Sequence, residues 1–401
     1  MIVRTLQAFI LALAAVAANA QNPAQPPNTP PDTDALVKDT LLKSARAAYA
    51  KGDYAAARAS LEQAWDLVQT SPPADPKRYD IPKQLEAVLS AAGDYAKAEE
   101  YLEYAINWRE LNVGQGDPKL AAEWIEMATL CQRLKDFDRA HALLTHAMGR
   151  DVQTYGRESL PVADDFSRIA LAFTADNKPE PAIQPLQMAI KIREAVLGAE
   201  HPAILSELDR LGGLQLALRN YPDAEESFRR SLVIRERLTG PNSADLISSV
   251  EGLAYSQFGQ KKYDEAEKGY QRLLALWVSS TGQPDHPMIA LTLDKIAVFY
   301  RAQERWEEGA AAEARAISIR QMFLANAFSS EAAEAISHKN PKEAERRLRQ
   351  ALAVLDESRA DQDKLRQQTE ENLKALEAED KPAPRSPPKS TTKSTAKKQP
   401  E

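Results

Sequence analysis

The sequence predicts an all-α chain organised as a solenoid of seven to eight antiparallel helix pairs, and three observations carry that expectation. The first is a polar residue and a ring followed by a small residue three places on. It recurs as Asp53-Tyr54 with Ala57, Asp94-Tyr95 with Ala98, Asp136-Phe137 with Ala140, Lys178-Pro179 with Ala182, Asn220-Tyr221 with Ala224, Lys262-Tyr263 with Ala266 and Arg305-Trp306 with Gly309. The rings are 41, 42, 42, 42, 42 and 43 residues apart, a fixed period of the kind that stacked repeats produce. The second is a glycine in phase with the rings, at Gly114, Gly156, Gly198, Gly240 and Gly282, each 42 residues from the last. The third is apolar residues at helical spacing on both sides of each ring, such as Ile204, Leu208, Leu211 and Leu218 before Tyr221, and Ala224, Phe228, Ser231 and Ile234 after it.

Each unit therefore divides into a first helix before the ring and a second helix after it. Ten residues beyond the ring stand Ala64, Ala105, Ala147, Ala189, Ser231, Leu273 and Ala316, and nine before it Ala45, Glu86, Ala128, Ala170, Gly212, Ala254 and Ala297. Small residues at these places let two helix backbones approach, and the ring is expected to plug the turn between them. Gly198 and Gly282 close helices, and His201-Pro202 and His286-Pro287 open the next ones, with proline where its missing N–H costs nothing. A shorter eighth pair with a reduced first helix is expected around Pro341, Ala344, Leu348 and Ala351. A polar helix from Asp361 to Glu379, with its stripe of Leu365, Thr369, Leu373 and Leu376, suits a terminal cap.

Composition agrees. Hydrophobic residues make up 43% and charged residues 27%, which fits a folded chain, and 15 glycines in 401 residues are too few for the turns of an all-β protein. Residues 1–20 have the pattern of a secretory signal: Arg4, an apolar stretch from Leu6 to Ala18, and Ala18-Asn19-Ala20 as a small-x-small cleavage site. The expectation is an exported protein, in a bacterial periplasm or secreted, with no membrane span after signal removal. Residues 21–34 form a proline-rich linker, 35–358 the solenoid, 359–380 the capping helix and 381–401 a basic disordered tail. Cys131 is the only cysteine, so export brings no internal disulfide, and its apolar neighbours make it a buried thiol. The chain carries a net charge of −7 although its last 21 residues sum to +5, so the rest is acidic; nucleic acid is not an expected partner.

A small residue in the first helix, a Gly-Asp-Tyr-like turn and alanines three and ten places after the ring resemble the tetratricopeptide repeat. The 42-residue unit HPAILSELDRLGGLQLALRNYPDAEESFRRSLVIRERLTG is similar to the longer repeats of kinesin light chains. The resemblance covers residues 35 to 322 and is clearest from Ser159 to Arg320. It implies a right-handed superhelix whose first helices line a concave groove that holds a protein or peptide. The side chains it places in that groove are Arg46, Tyr49, Gln132, Arg133, Asp209, Glu251, Tyr255, Phe258, Asp294 and Arg301. Kinesin light chains carry paired asparagines where this chain has Asp209-Arg210, Glu251-Gly252 and Asp294-Lys295, so their cargo rule does not transfer.

Asp209, Glu251 and Asp294 share one offset from the ring and predict an acidic column facing a basic or extended partner. No serine-nucleophile elbow, phosphate loop, H-E-x-x-H or paired cysteine motif is present, so neither enzyme chemistry nor a cofactor or metal is expected. His141 and His146, five residues apart, point about 140° apart around a helix and suit no shared metal. The function expected is an exported interaction scaffold; the alternative is an accessory subunit or enzyme of cell-envelope assembly.

Overall fold

The computed structural model describes residues 33–356 and 359–379. The expected leader, nearly all of the linker and the basic tail lie outside the described residues. The chain divides into two compact units, Met1–Ala199 and Glu200–Glu401. Among the described residues all regular structure is helical.

The first unit holds four helix pairs: α1 (Thr33–Ala50) with α2 (Tyr54–Val68), α3 (Lys77–Ala92) with α4 (Tyr95–Asn112), α5 (Lys119–Arg133) with α6 (Phe137–Tyr155), and α7 (Leu160–Ala175) with α8 (Pro179–Leu197). The second unit begins with α9 (Leu205–Ala217) and α10 (Tyr221–Thr239), then α11 (Ile247–Gly259) and α12 (Tyr263–Thr281). It continues with α13 (Pro287–Arg301), α14 (Trp306–Ser337), α15 (Pro341–Val354) and α16 (Asp363–Glu379).

Every pair turns the same way. Two residues before the ring the backbone is left-handed, at Gly52 and Gly93 and then at Lys135, Asn177, Arg219, Lys261, Glu304 and Lys339. The next N–H reaches back to the carbonyl five residues earlier, as in Asp53 to Ala48, Asn220 to Gln215 and Asn340 to Ala335. This closing bond satisfies a carbonyl that the helix end would leave bare. Only the first two turns carry glycine; the other six hold side chains at a φ near +60°, where a Cβ is disfavoured. The second helix then starts on a capping side chain where one is present: Asp53 accepts from the Ala56 N–H, Asp136 from Arg139 and Asn340 from Glu343. His201 and His286 cap in the same way, each through Nδ1, onto the N–H groups of Ala203 and Met288.

The small residues meet as their spacing predicts. Ala57, Ala98, Ala140, Ala182, Ala224 and Ala266 are fully buried, as are Ala64, Ala105, Ala147, Ala189, Ser231 and Ala316. Seven residues after the ring a large side chain fills the space: Leu61, Leu102, Leu144, Leu186, Phe228 and Tyr270, all buried. Burial of such a leucine stabilises by roughly 1.5–3 kcal/mol. Phe228 is larger than the leucines of the first four pairs, and glycines make room for it: a Cβ on Gly212 would stand 2.7 Å from its ring, and one on Gly252 of the following pair 2.5 Å.

Successive pairs meet through the residue fourteen after one ring and the residue fourteen before the next, apolar at the first joint as Val68 and Ile81 and polar at several later ones. Arg109 donates from Nε to Glu123 at 2.8 Å and from Nη1 to Asp117 at 2.6 Å, with its guanidinium 4.3 Å from the Tyr79 ring. Arg235 donates to Ser249 and also holds Asp209 and Ser231. Between the third and fourth pairs the two places are Asp151 and Asp165.

The structure departs from expectation at the seventh pair. The first helix of the eighth pair is not a separate reduced helix: α14 runs on for 32 residues and supplies it. The position nineteen after the ring, where five earlier pairs turn at a positive-φ glycine, is the fully buried Ala325, so nothing stops the helix. As a result Trp306 does not plug a turn. Tyr221 lies over Gly259 and Tyr263 lies 6.2 Å from Phe299, each on the next pair's first helix, whereas Trp306 has no such helix beside it and is 63% exposed. Ile317 is likewise open, although its counterparts Trp65, Ile106 and Leu232 are buried. The capping stripe packs, with Thr369 and Leu376 buried and Leu365 and Leu373 against α14 and α15 residues.

Two stability predictions follow from these contacts. Gly252→Ala should lower unfolding free energy by about 1–3 kcal/mol through overpacking, and Phe228→Leu should recover part of that loss; chemical denaturation of both variants tests it, and a stabilised Gly252→Ala protein would refute the slot. Glu304→Gly should raise stability by about 0.5–1 kcal/mol, because relief of the left-handed strain exceeds the entropy glycine adds to the unfolded chain; an unchanged or lower thermal midpoint would contradict it.

Candidate functional site

The first helices carry the sequence-predicted groove residues, and each unit presents its own set. In the first unit Arg46 and Tyr49 are exposed on α1 and line a cavity of about 460 Å³ with Ala45, Leu61, Gln84, Ala87 and Val88. Tyr49 leans on the turn ring Tyr54, with centroids 5.7 Å apart. This cavity exists because small residues, Ala45 and Ala87, occupy facing helices where larger ones would fill the gap. Gln132 and Arg133 lie at the end of α5, away from that cavity's lining; Arg133 is exposed with its guanidinium 6.0 Å from the Tyr95 ring.

The second unit brings together Asp209 on α9, Glu251, Tyr255 and Phe258 on α11, and Asp294 and Arg301 on α13. Tyr255 is 44% exposed and meets Phe258 edge to face, with centroids 6.3 Å apart. Phe258 is half-buried and passes that contact on to the buried Phe299 at 5.5 Å, so Tyr255 stands on a rigid aromatic base.

The three acids of the expected column are all engaged inside the unit. Arg235 clasps Asp209 with both terminal nitrogens, and Ser231 donates to the same carboxylate at 2.7 Å. Lys295 pairs with Glu251 across the neighbouring first helices, and Arg320 pairs with Asp294 from the second helix of the same pair. Arg301 is matched by Glu313. The Lys295–Glu251 register also occurs in the first unit with its charges reversed, as Lys83 with Glu126. These acids therefore tie helices together, and a basic ligand reaching them would compete with a cation already in place.

Sequence reasoning missed apolar members of the same face. Eight residues before the ring, the offset of Arg46 and Tyr255, stand Leu171 in the first unit and Val298 in the second. Val298 is 58% exposed, and Leu291, two turns earlier on the same helix, is 48% exposed. Counting that one offset through every pair finds Leu171 and Val298; Leu291 has no such signal.

Other groups that invite functional readings are spoken for. Cys131 is fully buried, and burial, with the nearby Glu99 charge, pushes its thiol up to about 11, far from a reactive thiolate. His141 stacks on Phe173 and His146 on Trp124, each at 3.9 Å, so the two rings lie on different neighbours.

Sequence profiles of the tetratricopeptide repeat match residues 39–70, 166–203, 208–245 and 245–322. No curated protein matches the sequence. Among solved structures, the C-terminal part of a TPR repeat-containing protein from Cytophaga hutchinsonii is similar in fold at 15% identity and a TM-score of 0.51, over 69% of this chain and 95% of that one. BtubC (BKLC) from P. vanneervenii matches at 21% identity and a TM-score of 0.44, over 62% and 91% of the two chains. The nearly identical TPR-like repeats of a Podosopora anserina protein described as a kinesin light chain match at 21% identity and a TM-score of 0.44, over 50% and 96%. With four matched stretches and one turn geometry repeated along the described residues, the chain belongs to the tetratricopeptide repeat proteins.

Proposed function

We propose that this protein is an interaction scaffold that holds an extended segment of a partner protein along the first-helix face of its second unit, chiefly through apolar side chains. The observation that carries the reading is that Tyr255 on α11 and Val298 and Leu291 on α13 are exposed, while Glu251 and Asp294 on the same helices are already paired to cations. Large apolar side chains left in water on a folded face supply contact area at little entropic cost, and an aromatic ring seated on other rings is a good anchor. Glu251, Asp294 and Arg301 then form the polar rim, setting register more than affinity. Of the groove residues named from the sequence, Asp209, Glu251, Tyr255, Phe258, Asp294 and Arg301 are the proposed lining of this face, with Leu291 and Val298 added, while Arg46, Tyr49, Gln132 and Arg133 are a separate proposed set on the first unit. A basic segment gains less from this face than an apolar one, since it would have to displace Lys295 and Arg320 before meeting a free carboxylate.

We also propose that the chain is exported, on the strength of the leader-like residues 1–20, and that it works in a bacterial envelope or outside the cell. The acidic solenoid would then present its first helices to a partner in that compartment.

Two experiments test these readings. A photo-crosslinking residue at Tyr255 should capture one dominant partner in intact cells, while the same probe at the exposed Lys268 on α12 should not. Tyr255→Ala with Val298→Ser should then weaken binding of that partner at least about tenfold with an unchanged thermal midpoint, and equal capture at both positions would remove the assignment. For export, fractionation with N-terminal sequencing should find a mature protein beginning at Gln21; a cytoplasmic, full-length protein would overturn that proposal.

A further inference from the structure

The joint between the third and fourth pairs breaks the polar register of its neighbours. At the equivalent places Arg109 meets Glu123 and Arg235 meets Ser249, a cation against an acceptor in both cases. Here the two residues are Asp151 at the end of α6 and Asp165 in the first half of α7, on the faces where Met148 and Val152 pack against Val162 and Phe166, and each carboxyl feels the other. Two ionised carboxylates in a buried contact repel, and a proton on one of them removes the repulsion. Asp165 is 1% exposed, and its Oδ2 is buried with no hydrogen-bond partner.

The surrounding charges do not replace that proton. Arg168, on α7, donates to Asp165 Oδ1 at 2.9 Å from an exposed position and leaves Oδ2 unmatched. Arg193, on α8, is held by Asp164 at 2.6 Å and by Ser167 at 3.2 Å. Arg150, beside Asp151 on α6, bonds the Gln115 carbonyl and lies 5.9 Å from the Trp124 ring. The apolar packing here is also set apart from the main core of the unit. Val162, Ala163 and Ile192 form their own small cluster with Met148, Val152 and Phe166.

We propose that this joint is proton-operated: a proton on the buried, unpartnered Asp165 carboxyl beside Asp151 keeps α6 against α7, and its loss sets two like charges in a poorly solvated contact and loosens the joint. Burial, then the Asp151 charge, push Asp165 up to about 7, against the opposing pull of Arg168. The sign follows from proton counting. In the closed joint Asp165 keeps its proton up to about pH 7, whereas in the opened joint it ionises near the ordinary aspartate value of about 4. Opening therefore releases a proton between those limits, and closure is strongest in mild acid, weakens as pH rises and levels off above neutrality. An interaction array with such a joint changes its local rigidity in the range where many compartments differ in pH.

The test is native-state hydrogen exchange of the full chain, read on peptides covering 156–170 and corrected for intrinsic exchange. In the wild-type protein the opening constant of these amides should rise about tenfold per pH unit between roughly pH 5 and 7, then level off. Asp165→Asn should abolish that rise, because the amide cannot titrate. Asp151→Arg, which recreates the Arg109–Glu123 arrangement, should raise protection at pH 8 about tenfold or more above wild type. A wild-type slope that survives in Asp165→Asn would overturn the proposal, and if that variant fails to fold, Asp151→Arg decides alone: no gain in protection at pH 8 overturns it equally.

Discussion

Each helix pair depends on two backbones coming close enough for alanine to be the contact. In the seven pairs the residue three places after the ring is alanine or glycine and the one ten places after it is small except for Leu273, and all the alanines at those positions are fully buried. That close approach sets the place of the bulky residue between them, seven after the ring, and it makes the packing unforgiving of added volume. Phe228 shows the rule from the other side: its ring occupies the space that a Cβ on Gly212 or Gly252 would take. Because small contacts leave narrow gaps, the repeat supports one regular spacing, and successive pairs inherit their register from it.

The charges obey the same geometry. Most of the prominent acids and arginines of the first helices spend their interaction inside the array, as Asp209 does with Arg235 and Glu123 with Arg109. Such pairs contribute little net stability when exposed and somewhat more when half-buried, but they fix which helix lies beside which. A face whose charges are already satisfied offers mainly its uncovered apolar groups, and for this reason Tyr255 and Val298 weigh more in the proposed recognition than the acids beside them. Where the register carries two carboxylates, the missing cation becomes a proton, and the joint at Asp151 and Asp165 gains a dependence on pH that its neighbours lack.

The end of the array shows what sustains the repeat. A pair is complete only when the next first helix covers it; with α14 running straight on, Trp306 and Ile317 remain in water although their counterparts are covered. Ala325 stands where five earlier pairs have the turn glycine, and a continuous helix through it keeps its own hydrogen bonds and needs no closing turn. The cap formed by α16 then protects part of the face with Thr369 and Leu376, and Ser318 and Gln362 join it to α14 through hydrogen bonds.

The period of rings, glycines and alanines was legible because a stacked repeat demands the same small residue at the same offset each time, and helical spacing follows from burying one stripe per helix. The expected groove residues were legible only as offsets, and an offset says where a side chain starts but not what it meets. Which cation pairs Asp209, Glu251 and Asp294 was decided by residues 26, 44 and 26 positions away, a distance no local pattern spans. The left-handed turns at Lys135, Arg219 and Glu304 were hidden for a related reason, since tertiary packing holds a strained backbone there without asking for glycine. Spacing and composition thus determined that the chain stacks as helix pairs, while side-chain contacts across pairs decided which charges are spent, which apolar groups stay in water, and where one proton stands in for a missing arginine.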